Sequence, residues 1–198
     1  MVKTIHLVRH GHHALLDRTL CGRMAGVGLD ALGCRQMSGC AQLIWPQPSL
    51  IQSSPQRRAR QSAGILAAHF GVSVEIVAAV DEIDLGEWTA RSFSELANDA
   101  AWLRWNSHRG ASRAPNGESM RELQQRIVGH LERLREEPTD ATIVIVSHAE
   151  PIRAALLHYR GMALDDFMAI GVDPASISTL FVDRAGIRVS QINQRVPA

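Results

Sequence analysis

A three-layer α/β/α fold on a mainly parallel sheet is predicted by three features of this sequence. Short apolar runs alternate with amphipathic helical segments along the chain. The run TIVIVS at 142–147 is almost continuously apolar, as in a strand covered on both faces. At 198 residues and 45% hydrophobic, the chain is long enough to bury a sizeable core. No internal repeat, low-complexity tract or linker divides it, so residues 1–198 are expected to form a single domain.

The elements follow in order. Ile5, Leu7 and Val8 mark a strand over 4–9, and 31–45 reads as a helix. SLIQS at 49–53 is a second short strand. Ser54 is positioned to cap the next helix, with Pro55 at its first position. Ala59, Ala63, Leu66 and Phe70 then recur at helical spacing. SVEIVA at 73–78 is a third strand, and DEIDLGEWTARS at 81–92 is irregular. A helical region is expected from Phe93 to Trp105, then a polar surface loop over 106–117. SMRE at 119–122 is a capping box. It opens a long helix with Met120, Leu123, Ile127, Leu131 and Leu134 on one face. After the 142–147 strand, Pro151 is expected to start a helix over 151–160. Residues 176–183 and 187–193 suggest a hairpin turning at Arg184-Ala185-Gly186.

Bulk composition narrows the function. A formal net charge of +1 argues against nucleic-acid binding driven by bulk charge. Cys21, Cys34 and Cys40 are odd in number and lack a CxxC pair, which suggests neither a disulfide framework nor a zinc knot. MVKTIHLV has too short an apolar run for a signal peptide, and no stretch approaches a membrane span of roughly 18 apolar residues. A cytoplasmic protein without membrane partners is expected; oligomeric state is unread, and a homodimer is compatible with the sequence. Twenty of the 21 basic residues are Arg. Genomic composition explains most of that bias, although Arg suits phosphate where contact is bidentate.

In open α/β sheets ligands bind beyond the carboxyl ends of the strands. Here one strand ends in Arg9 and His10, and the next leads into Ser54, Arg57 and Arg58. TIVIVS ends at Ser147 and His148, and the 73–78 strand leads into Asp81, Glu82, Asp84 and Glu87. Guanidinium forks and helix N-termini suit phosphoryl oxygens. A neutral imidazole can attack phosphorus, and a nearby carboxylic acid can protonate the departing oxygen.

At these residues the chain resembles the histidine phosphatase superfamily, also called phosphoglycerate mutase-like. LVRHGHH is similar to the family's RHG signature. CGRMAGVGLDALGCRQ at 21–36, SSPQRRARQSA at 53–63, DEIDLGEW at 81–88, NGES at 116–119 and VSHAEPIR at 146–153 resemble its later elements in order. The resemblance implies a phosphoglycerate mutase-like fold and a phosphoric monoester hydrolase of the histidine acid phosphatase type. Its substrate would be a small phosphorylated metabolite. His10 would be the nucleophile that becomes phosphohistidine. Arg9, Arg58 and His148 would hold the phosphoryl oxygens. Glu82 would protonate the leaving group and then activate water. Gly11, Arg23 and Ala149 would join Arg9, Arg58 and His148 in binding substrate. No metal and no cofactor are implied.

The chain also departs from the pattern. His12 and His13 stand where Glu or Gln and then Thr or Ser are common, and Leu16 where an Asn is common. HAEP replaces His-Gly-Gly, and WTA replaces Trp-Glu-Gly. His12 and His13 remain open between pocket lining and incidental loop. Arg57 and Arg60 read as solvated, His6 as a packed strand histidine, and Trp88, Trp102 and Trp105 as core by default. The nearest alternative is a cofactor-dependent phosphoglycerate mutase using the same residues; the short chain, with only a modest cap at 92–117, favours the phosphatase. A metal-dependent hydrolase on HGHH is disfavoured, because the pattern H-x-H-x-D-H would need Asp and His where Ala14 and Leu15 stand. A non-catalytic phosphate-binding module is disfavoured by the presence of His10, Arg58, Glu82 and His148 together.

Overall fold

The computed structural model describes residues 3–196. Six strands form one sheet: β1 (Lys3–Arg9), β2 (Leu50–Ser53), β3 (Val74–Ile76), β4 (Thr142–Ser147), β5 (Ile177–Asp183) and β6 (Gly186–Gln194), in the order β3-β2-β4-β1-β5-β6. β1, β2, β3 and β4 are mutually parallel, and the C-terminal hairpin β5–β6 adds to β1 antiparallel. The mainly parallel sheet thus carries an antiparallel flap at one edge.

β4 shows why both faces are covered. Ile143 and Ile145 join one apolar cluster with Ile5, Leu7 and Leu180. Val144 and Val146 join the other with Val8, Ile51 and Ile177. Successive side chains of a strand point to opposite faces, so an all-apolar strand needs helices on each. The first face is closed by α5 (Met120–Glu136) and α6 (Ala149–Tyr159), through Leu123, Ile127, Ile152 and Leu156. The second is closed by α1 (Ala31–Cys40) and α2 (Arg57–Phe70), through Met37, Cys40, Ala63 and Leu66. The layers are those expected.

Several boundaries differ, each for a local reason. The first helix ends at Cys40 rather than 45; the chain tightens over Ala41–Leu43, and Ile44 is already extended ahead of Pro46. The second begins at Arg57, with Gln56 at the N-cap, rather than at Pro55. Ser54 is engaged elsewhere: its Oγ donates to Asp81 and accepts from the Gln56 N–H. The region 93–105 is two helices, α3 (Phe93–Leu96) and α4 (Ala100–Ser107), because Ser92 and Asp99 each cap a separate start. β3 keeps only three residues of the 73–78 run, at the sheet edge. The last helix starts at Ala149, with His148 as its extended N-cap and Pro151 within the first turn. The 106–117 segment is not wholly a surface loop, since Arg109 is buried within it. The capping box at Ser119 forms as read: its Oγ accepts from the Glu122 N–H at 3.3 Å, and Glu122 accepts from the Ser119 N–H at 2.9 Å.

Candidate active site

The chain leaves β1 at Arg9 beside the end of β4, where the His10 N–H donates to the Ser147 carbonyl at 3.0 Å. This register sets His10 and His148 side by side, with ring centroids 5.1 Å apart and nearly edge-on. Both are buried. A pocket opens above them, lined by Arg9, His10, Arg58, Glu82 and Ala149 among others. His148 is not among the residues that line it.

Hydrogen bonds define the form of His10. Its Nδ1–H donates to the Gly11 carbonyl at 2.8 Å, while Nε2 accepts from Arg58 Nε at 3.2 Å. The network therefore assigns the proton to Nδ1 and leaves the Nε2 lone pair toward the pocket. Burial first, then the charges of Arg58 and Arg9, hold His10 well below the ordinary histidine range. The ring is neutral.

The two arginines are placed to hold an anion. Arg58, on the first turn of α2, donates Nη2 to the Gly22 carbonyl at 2.8 Å and keeps Nη1 buried and without a partner. Arg9 donates Nη1 to the Val172 carbonyl at 2.7 Å and keeps Nε buried and without a partner. Buried N–H groups are nearly always paired, so unpartnered guanidinium donors beside a pocket point to an oxyanion ligand.

His148 is oriented by a relay. Ser54 Oγ donates to Asp81 Oδ1 at 2.9 Å, so it accepts from His148 Nε2–H at 2.7 Å. The Nδ1 atom then faces Glu82 Oε2 at 3.7 Å and has no hydrogen-bond partner. Burial and the Arg58 charge keep this ring neutral too.

Glu82 is a carboxyl lining the pocket. Burial first, then the neighbouring Glu150 charge, pushes its pKa up to about 7, against the pull of Arg58 and Arg9. Its Oε1 accepts from the Ile83 N–H at 2.9 Å. Its backbone carbonyl is gripped from behind: Arg23 Nε donates at 2.8 Å and Arg126 Nη2 at 3.0 Å. Glu118 accepts from both arginines, at 3.2 Å and 2.7 Å.

Three residues expected to bind substrate, Arg23, Gly11 and His148, do not line the pocket. Arg23 is not among the pocket-lining residues; Glu82, Glu118 and nearby Asp81 hold its guanidinium away from the pocket. Gly11 does not line the pocket either. Its N–H donates to Ser62 Oγ, and a Cβ on it would stand 2.5 Å from the Gly33 carbonyl oxygen. It permits close passage of two backbones.

The two uncertain histidines separate. His12 turns outward, and its Nδ1 pairs with Asp30 at 2.6 Å. His13 is buried and lines the pocket beside His10. Trp88 and Trp105 are core residues, yet Trp105 and Trp102 also wall the pocket. Sequence reasoning missed Arg109, Glu150 and Arg126, and read Asp81 only as an acidic neighbour of Glu82. Arg109 stacks 3.7 Å from the Phe167 ring centroid and pairs with pocket-lining Glu150 at 3.3 Å. Glu150 had a signal, since it belongs to the HAEP departure; Arg109 sat in a stretch that looked only polar. Among the described residues, no group of three or more His, Cys, Asp or Glu is arranged to hold a metal ion.

The family model described as "Histidine phosphatase superfamily (branch 1)" matches residues 5–195. Phosphoserine phosphatase 1 of Hydrogenobacter thermophilus is 29% identical over 199 residues, covering 98% of this chain and 92% of that protein. Adenosylcobalamin/alpha-ribazole phosphatase of Escherichia coli is 24% identical, covering 96% of this chain and 95% of that protein. Among solved structures, native mycobacterial glucosyl-3-phosphoglycerate phosphatase superposes with a TM-score of 0.83 at 25% identity, covering 98% of this chain and 99% of that one.

Proposed function

The chain belongs to the histidine phosphatase superfamily, branch 1, and we propose that it hydrolyses a small phosphomonoester through a phosphohistidine on His10. The relatives named above are phosphatases, for phosphoserine in one case and glucosyl-3-phosphoglycerate in another. One observation carries the reading. A neutral imidazole offers Nε2 to a pocket in which Arg9 and Arg58 hold unpartnered buried donors.

In the first step His10 Nε2 attacks phosphorus. The bond between phosphorus and the ester oxygen breaks, and Glu82 transfers its proton to that oxygen, so an alcohol leaves. Arg58 shifts its Nε–H from His10 Nε2 to a phosphoryl oxygen as the N–P bond forms. Arg9 and Arg58 balance charge on the equatorial oxygens. In the second step the Glu82 carboxylate takes a proton from water. The water oxygen bonds to phosphorus, the N–P bond breaks, and His10 returns to neutral imidazole. A carboxyl titrating near neutrality can serve as acid and then as base.

Brief incubation with a phosphomonoester panel, followed by alkaline quench, is expected to trap acid-labile, alkali-stable phosphate on the protein. His10→Ala is expected to lose both the phosphoenzyme and phosphate release. Full activity in His10→Ala would overturn the reading. Dominant transfer between the 2- and 3-positions of phosphoglycerate would replace hydrolysis with mutase chemistry.

A further inference from the structure

We propose that His13 is an additional ligand of the transferring phosphoryl group, donating from its ring and taking up a proton as the dianion binds. The proposal rests on the phosphatase reading above.

The geometry is specific to this loop. His13 is 4% exposed and lines the pocket, with its ring centroid 5.3 Å from that of His10. His10 thus packs against two imidazoles, His148 at 5.1 Å and His13 at 5.3 Å. The His13 Nδ1 is buried and has no hydrogen-bond partner. The strand histidine His6 bonds one ring nitrogen, Nδ1, to Thr179 at 3.1 Å and leaves Nε2 buried without a partner; what sets His13 apart is that it lines the pocket.

The loop is also held so that His13 has little freedom to turn away. The adjacent His12 is pinned twice to α1 and its cap: its N–H donates to Gln36 at 2.9 Å, and its ring pairs with Asp30 at 2.6 Å. Gly33 packs on this backbone so closely that a Cβ there would sit 2.2 Å from the His12 carbonyl oxygen. The His13 carbonyl accepts from the Leu16 N–H at 3.0 Å. Leu16 itself is apolar and lines the same pocket, so it offers the phosphoryl group no side-chain hydrogen bond. His13 supplies a polar group from the same turn.

The charges around His13 are mostly positive. Arg58 faces it from α2 and Arg9 from β1, with His12 and Asp30 beside it. His10, Asp17, Cys21, Glu82, Arg109 and Glu150 line the same pocket. Burial and the two arginines lower the His13 pKa to about 4. A bound dianion reverses that field, because an opposite charge at contact distance favours the charged form. Binding and protonation therefore assist one another.

Sulfate is a suitable probe, being tetrahedral and doubly charged throughout pH 5–8. Its affinity for the full chain would be measured by calorimetry across that range, for wild type, His13→Asn and His13→Gln. Wild-type affinity is expected to strengthen as pH falls. His13→Asn and His13→Gln are expected to weaken binding by ~10- to 100-fold at pH 5.5, the loss of one charge-assisted hydrogen bond. They should differ less from wild type at pH 8, and their pH slope should be shallower. Should either variant misfold, the His13 ring nitrogens of the wild type can be followed by NMR. At pH 6 they are expected to change from neutral to protonated on sulfate addition. A neutral His13 with sulfate bound, or folded variants with unchanged affinity and slope, would overturn the proposal. Phosphoenzyme trapping on the same preparation keeps this failure distinct from that of the phosphatase reading.

Discussion

At the scale of single residues, Glu82 makes the sharpest demand. In the proposed mechanism a pKa of about 7 leaves Glu82 partly protonated near neutral pH, able to give a proton to the leaving group. kcat for a poor leaving group is expected to fall as pH rises through about 7, and Glu82→Gln is expected to lower it by ~10²–10⁴-fold. The same shift has a stability consequence. A carboxyl whose folded pKa lies above its unfolded value of about 4.5 stabilises the fold fully below pH 4.5, and that contribution is lost as pH rises through 7. Glu82→Gln removes this dependence. Its melting temperature relative to wild type is therefore expected to be higher at pH 8 than at pH 5, by an amount corresponding to roughly 2–3 kcal/mol. A difference independent of pH would refute the elevated pKa. Glu82 was legible because it follows a strand and matches a motif. Asp81 was legible only as an acidic neighbour, since its role depends on Ser54 and His148, which are distant in sequence and meet only when β2 and β4 pair.

At the scale of elements, the site depends on where each helix begins. α1 serves as a brace for the His12–His13 turn, through Asp30, Gln36 and the bare backbone of Gly33. Gly33→Ala must push that turn aside, because a Cβ 2.2 Å from the His12 carbonyl oxygen cannot be accommodated. Overpacking of this kind costs ~1–3 kcal/mol. Here it is also expected to reduce kcat/KM on a phosphomonoester, since His10 and His13 flank the displaced residue. Ser119→Ala provides the contrast. It breaks the capping box of α5 and is expected to cost ~1 kcal/mol in chemical denaturation. A near wild-type kcat would show that the long helix needs the cap for stability alone. The start of the long helix α5 could be read from sequence at its capping box. The starts of α2 and α6 could not: Ser54, a cap by local rules, is recruited into hydrogen bonds across the sheet, and α6 begins two residues before Pro151, directly after His148. The break between α3 and α4 was missed for another reason: Asp99 caps a new start within a stretch whose apolar residues continue.

At the scale of the whole molecule, parallel pairing of β1, β4 and β2 delivers the carboxyl ends of three strands to one edge. Arg9, His10, Ser54 and His148 converge for that reason. The alternation of elements made this topology readable, whereas the depth at which the side chains lie was not readable, because burial depends on all the layers at once. Depth sets the response to acid. His6, His10, His13, His130 and His148 are all buried, and burial lowers the pKa of each. A histidine whose folded pKa is depressed contributes stability above its unfolded value of about 6.5, and that stability is lost as pH falls toward the folded value. Glu82 acts in the opposite sense over part of the same range, but it is one group against five. The melting temperature is therefore expected to fall as pH drops from 6.5 to 4, more steeply than in a protein whose histidines are exposed. A ligand that binds only the folded state should offset part of the loss. Sulfate at saturating concentration is expected to raise the melting temperature more at pH 5.5 than at pH 8, because protonated histidines beside Arg9 and Arg58 then face a dianion. In His10→Ala the acid-labile component should shrink, since one buried histidine is gone. A melting temperature flat between pH 6.5 and 4 would mean that these rings reach water in the folded state, contrary to the packing described.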